Sequence, residues 1–326
     1  MILKRSEPTD LMFLISHWLL MVLPFALWGT SMAAMAPLVA SGGPFLVAFL
    51  RLLPAGIVLL ISVPFLGRKL SIDVRDFGWF LLFTLIDASL FQMCLAKGLV
   101  ETGAGLGSVL IDSQPLMVAL LARSIFGDAI NPIGWVGLAL GLVGIICLGA
   151  PPEILRHWVL SGQSSPDFSL WNSGEAWMLA SAVAMALGTV LIRFTCKNSD
   201  PVAVTGWHMV LGSFPLLFGH FSDQAWPIIP SWTSTEWVLM GYASLLGSAL
   251  AYGLFFWFAS REELTSFSTL AFLTPVFALA SGGFWLSERL ELLQWVGVIV
   301  VLISVFLVSQ RRRLWEADVV ELELEQ

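Results

Sequence analysis

Long apolar runs recur along the whole chain, separated by short clusters of charge, proline and glycine. Each run is about the twenty residues that a helix needs to cross a hydrocarbon core. The pattern predicts helices over Phe13–Val39, Pro44–Leu66, Phe77–Lys97, Gly103–Phe126 and Pro132–Ala150. A polar stretch, Pro151–Asn172, follows and reads as a loop, with Pro151-Pro152 and Ser161-Gly162-Gln163-Ser164-Ser165-Pro166 inside it. Five more helices are predicted over Gly174–Thr195, Pro201–Phe221, Glu236–Phe258, Leu264–Leu286 and Leu292–Gln310. The expected architecture is an all-α membrane protein of ten transmembrane helices.

Composition sharpens this. The chain is 57% hydrophobic and 12% charged, with a mean hydropathy of +0.85. A soluble domain carries roughly 25% charged residues, so too little polar surface remains to face water. The net charge is -7, and at the end of the chain Glu316, Asp318, Glu321, Glu323 and Glu325 follow Arg311-Arg312-Arg313. That segment, 311–326, reads as a solvated acidic tail. No basic, aromatic-interleaved patch points to nucleic acid. Cys94, Cys147 and Cys196 sit apart in separate apolar runs, without a CxxC pair or a His at metal-ligand spacing, and read as small apolar filler. No metal or other cofactor is expected.

Lysine and arginine set the orientation, because cytoplasmic loops carry the excess of both. With the N-terminus inside, Lys4, Arg5, Arg68, Lys69, Arg75, Arg123, Arg193, Lys197, Arg261 and Arg311–Arg313 share the cytoplasmic side. Only Lys97, Arg156 and Arg289 fall outside. The expectation is a multi-pass protein of the cell (plasma or inner) membrane with both termini cytoplasmic.

The chain also repeats itself. Gln114-Pro115, Phe126-Gly127-Asp128 and Trp135-Val136-Gly137 return 160 residues later as Thr274-Pro275, Leu286-Ser287-Glu288 and Trp295-Val296-Gly297. Pro44 and Pro201, and Gly29-Thr30 and Gly188-Thr189, match at nearly the same offset. The repeats are 1–150 and 173–310, joined by the extracytoplasmic loop 151–172. Five spans per half force the copies to cross in opposite senses, as in carriers with a site between inverted halves.

These repeated residues resemble the EamA-type signature of the drug/metabolite transporter superfamily. The resemblance rests on Gly103-Ala104-Gly105-Leu106-Gly107, Gln114-Pro115-Leu116, Gly127-Asp128 and Trp135 through Gly141 in the first copy. The second copy offers Thr265-Ser266, Thr274-Pro275-Val276, Ser287-Glu288-Arg289-Leu290 and Gln294 through Gly297, and Trp28-Gly29 and Arg51 fit too. The resemblance covers nearly all of the chain. It implies two inverted five-helix repeats around a central cavity, lined largely by helices 1, 3, 4, 6, 8 and 9. It also implies transport of amino acids, other metabolites or drugs. Lys97, Glu101, Asp87 and Asp112 are charged where the pattern is usually neutral.

Ionisable residues inside spans are costly and mark partners or wet pathways. Arg51, Asp87 and Asp112 lie at compatible depths, roughly 10, 15 and 14 Å from the outer surface at 1.5 Å per residue. A contact between Arg51 and one aspartate is therefore allowed, either as a fixed ion pair or as part of a substrate path. Such a path leaves room for proton coupling. Ser108 and Asp112 share a helix face with Gly105, suited either to a cavity or to close helix packing. Ser244, Ser248 and Tyr252 form a second polar stripe. His208 is the approximate repeat counterpart of Arg51. Gln114 and Thr274 precede prolines that free a carbonyl one turn earlier, as a substrate acceptor or an ordinary kink. Trp28 is placed to stack on a ligand or to fill the core.

The chemistry these residues imply is secondary transport of a small-molecule substrate across the lipid bilayer. No GxxxxGK[ST] supplies an ATPase. An intramembrane enzyme finds no GxGD, GxSxG or HExxH to rest on. A non-transporting scaffold or receptor is the other rival. Nothing in the sequence sets the oligomeric state.

Overall fold

A computed structural model describes residues 8–102, 110–149, 174–222, 230–286 and 292–324. All regular structure among them is helical. Helix α1 is Pro8–Gly42 and α2 is Pro44–Phe65. Only Gly43 separates them, at φ 80°, a left-handed conformation that glycine adopts without a Cβ clash. The rod α3 covers residues 77–102, and its middle, Thr84–Phe91, is π-helical. Next come α4 (Gln114–Phe126) and α5 (Pro132–Gly149). The second half holds α6 (Gly174–Thr195), α7 (Pro201–Ser222) and α8 (Ser234–Ala259), whose middle, Leu245–Leu250, is again π-helical. The rod α9 covers 264–286, and α10 is Leu292–Leu324. Six helices among the described residues are long and apolar enough to cross a membrane, and three shorter apolar ones accompany them.

Local chemistry sets the element ends. Proline opens α2, α5 and α7 at the first turn, where its missing N–H would be unpaired in any case. Thr233 and Glu236 close a reciprocal capping box at the start of α8. Gly127 ends α4 in the left-handed conformation. Pro115 and Pro275 interrupt their rods at matched positions: a turn at residues 112–113 precedes Gln114, and a 3-10 segment, Leu270–Leu273, precedes Thr274.

The two halves are related by a turn that reverses helix direction. On α5 and α10, the Ser304 hydroxyl donates to the Gly137 carbonyl at 2.6 Å. Gly144 meets Gly297 backbone to backbone. A shift of 160 residues converts the first contact into the second with the partners exchanged. As one helix advances from 137 to 144, its partner retreats from 304 to 297, so equivalent helices run antiparallel. On α2 and α7, Gly219 faces Phe45 while Gly56 faces Gly206, again with opposite sense. Small residues at both seams let the helices approach closely.

The tail departs from expectation. Helix α10 runs through Arg311–Arg313 to Leu324, and Arg311 is buried, 1% exposed. Its guanidinium binds Asp128 at 3.4 Å, Glu263 at 2.5 Å and the Ser266 hydroxyl at 2.8 Å. Two carboxylates compensate the buried cation, which a reading of Arg311 as solvated had missed. The loop predicted at Pro151–Asn172 lies outside the described residues.

Candidate functional site

The π-helical segments of α3 and α8 occupy equivalent places in the two repeats. Each inserts an extra residue into the helical register just before a polar side chain. Gln92 follows the first and Tyr252 closely follows the second, and the two meet: Gln92 Nε2 donates to the Tyr252 hydroxyl at 3.2 Å across 160 residues of sequence. Two repeat-equivalent residues in contact lie on the axis that relates the halves.

Arg51 reaches this junction from α2. Its Nη2 donates to Gln92 Oε1 at 3.0 Å and to the Tyr252 hydroxyl at 3.3 Å, and its Nη1 lies 3.3 Å from the Met35 sulfur. The side chain is 6% exposed, and its Nε has no hydrogen-bond partner among the described residues. Beside it is a void of about 20 Å³, lined in part by Met35, Val47, Arg51 and Gln92. Trp28 packs edge-on against Tyr252 with ring centres 4.9 Å apart, and its Nε1 also lacks a hydrogen-bond partner among the described residues. A buried cation, a phenol, an amide and an indole thus converge from α1, α2, α3 and α8.

Asp87 is not part of this cluster. It projects from the π-helical turn toward α7, where its Oδ2 lies 3.1 Å from His208 Nε2, both side chains being 1% exposed. Phe83 and Phe256 pack on the imidazole, with ring centres at 4.4 and 5.5 Å. Gly188 of α6 makes room for the carboxylate, since a Cβ there would come 2.8 Å from the Asp87 Cβ. Asp112 is buried, and among the described residues it has no hydrogen bond or ion pair. The allowed contact between Arg51 and an aspartate is therefore not made among the described residues: Asp87 faces His208 instead, and the described partners of Arg51, Met35, Gln92 and Tyr252, are neutral.

The other predicted residues are more local. Gln114 Nε2 donates to Thr189 Oγ1 at 3.0 Å, joining α4 to α6. The Thr274 carbonyl lies against Gly29, joining α9 to α1. Ser248 donates to the Ala243 carbonyl five residues back, within the π-helical register. Ser108 lies outside the described residues. Sequence reasoning missed Gln92, although its 160-residue offset from Tyr252 is the repeat offset itself.

At one end of the bundle, Arg68, Lys69, Asp73, Lys197, Asp200 and Arg261 line an open cleft of about 630 Å³. Arg68 bridges to Asp200 at 3.1 Å across the repeats. The loops rich in Lys and Arg thus share one end, as the positive-inside reading requires of them.

These features define a multi-pass helical membrane protein of two inverted repeats, with a polar centre where the repeats meet. The model of the EamA-like transporter family matches residues 16–150 and again 172–310. The chain belongs to that family, whose members are transporters rather than enzymes. It is 46% identical over 301 residues to an "Uncharacterized transporter" of Synechocystis sp., covering 91% of this chain and 90% of the relative. It is 42% identical over 312 residues to a chloroplastic WAT1-related protein of Arabidopsis thaliana, covering 94% and 72%. A crystal structure superposes with a TM-score of 0.76 at 16% identity, covering 91% of this chain and 97% of that one, a likeness of fold.

Proposed function

We propose that this transporter is a secondary carrier that moves small metabolites by alternating access, with all ten helices crossing the cell membrane and both termini in the cytoplasm. Arg51, Gln92, Tyr252 and Trp28 form the centre of the substrate path. One observation carries the reading: a buried guanidinium stands at the junction of the repeats, and among the described residues no carboxylate pairs with it. Removing a cation from water costs several kcal/mol unless an opposite charge compensates it. Gln92 and Tyr252 accept hydrogen bonds from its Nη2 but do not neutralise its charge. A solute bearing a carboxylate would supply the missing charge, and Trp28 offers an apolar face to the rest of it. Among metabolites and drugs, amino-acid-like compounds fit this best.

Counterflow in proteoliposomes tests the proposal, with a panel of amino acids set against the amines obtained by removing their carboxyl groups. Acids should exchange and the matching amines should not. Arg51→Gln should reduce exchange at least tenfold, corresponding to about 1.4 kcal/mol or more of binding. Equal uptake of acids and amines, or full activity in Arg51→Gln, would remove Arg51 from the substrate path.

A further inference from the structure

The Asp87–His208 pair carries a constraint that its distance alone does not express. His208 Nδ1 lies 2.6 Å from the Thr205 carbonyl oxygen. A carbonyl oxygen only accepts, so Nδ1 carries a hydrogen. The other ring nitrogen, Nε2, lies 3.1 Å from Asp87 Oδ2. If His208 were neutral, Nε2 would be a bare lone pair, and an ionised Asp87 would face it with another. The observed contact therefore needs one more proton, held either on Oδ2 or on Nε2. The groups around it offer no substitute. Gly188 faces the carboxylate from α6, and Phe256 faces the imidazole from α8. Among the described residues, Tyr252 of α8 and Arg51 of α2 are committed to the Gln92 junction. Among the described residues, Asp87 Oδ1 has no hydrogen-bond partner.

We infer that Asp87 and His208 form a proton-binding site that ties α3 to α7 only while it is loaded. Loss of the proton to water leaves a carboxylate opposite an imidazole lone pair, and the attraction between the helices becomes a repulsion. The site sits on the π-helical turn of α3, where one extra residue gives the helix an alternative register to relax into. Because α3 also carries Gln92, release of the proton moves a residue of the Arg51 centre. That consequence rests on the carrier reading above, whereas proton binding stands without it.

Two measurements on the purified protein in lipid nanodiscs test this, and neither needs a transported solute. The first is nitrogen NMR of histidine-labelled protein between pH 5 and 9. Nδ1 of His208 should stay protonated while the Nε2 signal moves with pH, and the carboxyl infrared band of Asp87 should change over the same interval. In Asp87→Asn the amide donates to Nε2 as a bound proton would, so the His208 signals should be fixed throughout. The second measurement is the distance between spin labels at Phe77→Cys and Leu211→Cys, in a background without the native cysteines. It should differ between pH 5.5 and 8.5 in the parent, and should match the pH 5.5 value at both pH values in Asp87→Asn. His208 signals that do not move with pH would overturn proton binding. A distance independent of pH would overturn the coupling of α3 to α7. Loss of counterflow with both of these results intact would instead count against the carrier reading.

Discussion

Single residues in this bundle are constrained mainly by how near another backbone comes. Gly29 of α1 packs on α9 so closely that an added Cβ would stand 2.5 Å from the Thr274 carbonyl oxygen and 2.9 Å from the Ala278 nitrogen. Both are backbone atoms and cannot rotate away. Gly29→Ala should therefore destabilise by about 1–3 kcal/mol, read as a lower melting temperature in detergent. Gly78, on an open face of α3 with nothing within 4 Å of its Cβ position, is the control. Gly78→Ala should leave stability unchanged or raise it by about 0.5–1 kcal/mol through better helix propensity. If the two variants melt alike, α1 and α9 are not in this contact. Gly29-Thr30 was visible in the sequence as a repeat motif, but what it packs against was not.

At the scale of elements, the end of α10 is held by charge. Arg311 joins Asp128, at the end of α4, to Glu263, at the start of α9, and the Thr265 hydroxyl donates to Asp128 at 2.5 Å. Arg311→Ala leaves two carboxylates facing each other, and should cost about 3 kcal/mol or more. Arg312 touches the same carboxylates but is 68% exposed, so Arg312→Ala should cost less than about 1 kcal/mol. Thermal unfolding of the two variants separates these cases. The cluster should also respond to pH. Burial, together with the neighbouring Asp128 carboxyl, holds Glu263 above its usual range against the pull of Arg311. The folded protein therefore keeps this proton longer than the unfolded chain does. The associated stability is full below the ordinary glutamate value of about 4.3, and is lost as pH rises through the higher folded value. Glu263→Gln should remove that decline from the melting-temperature profile, and an unchanged slope would count against it.

For the whole molecule, the shared end of the basic loops makes a topological statement. The loop 66–76, the α6–α7 turn and Ser260–Arg261 surround one cleft. Ser41 and Trp232 hydrogen bond at the other end of the bundle, at 2.9 Å. In a background lacking Cys94, Cys147 and Cys196, Ser231→Cys should react with an impermeant thiol reagent in intact cells. Ser71→Cys should react only after permeabilisation. Both side chains are exposed in the structure, so burial does not explain a failure to react. The reverse labelling pattern would invert the orientation and place the Arg68–Asp200 bridge outside.

The sequence by itself determined the helical class, the positions of the apolar runs, the repeat and the family. These depend on local properties: the length of an apolar run, the φ restriction of proline and the recurrence of short motifs at one offset. It also picked out Arg51, Asp87 and His208 as residues that need partners, because a buried polar group is costly wherever it lies. Which partner each one took was decided only by the tertiary structure. Depth along a span allowed Arg51 to meet an aspartate, but depth is one coordinate, and the facing of each helix is another. The π-helical turns of α3 and α8 shift that facing by one residue, and no propensity in Thr84–Phe91 or Leu245–Leu250 announces them. With that shift, Asp87 faces α7 and His208, while Gln92 and Tyr252 face each other on the axis. Arg51, whose partners among the described residues are neutral, became the candidate site for that reason.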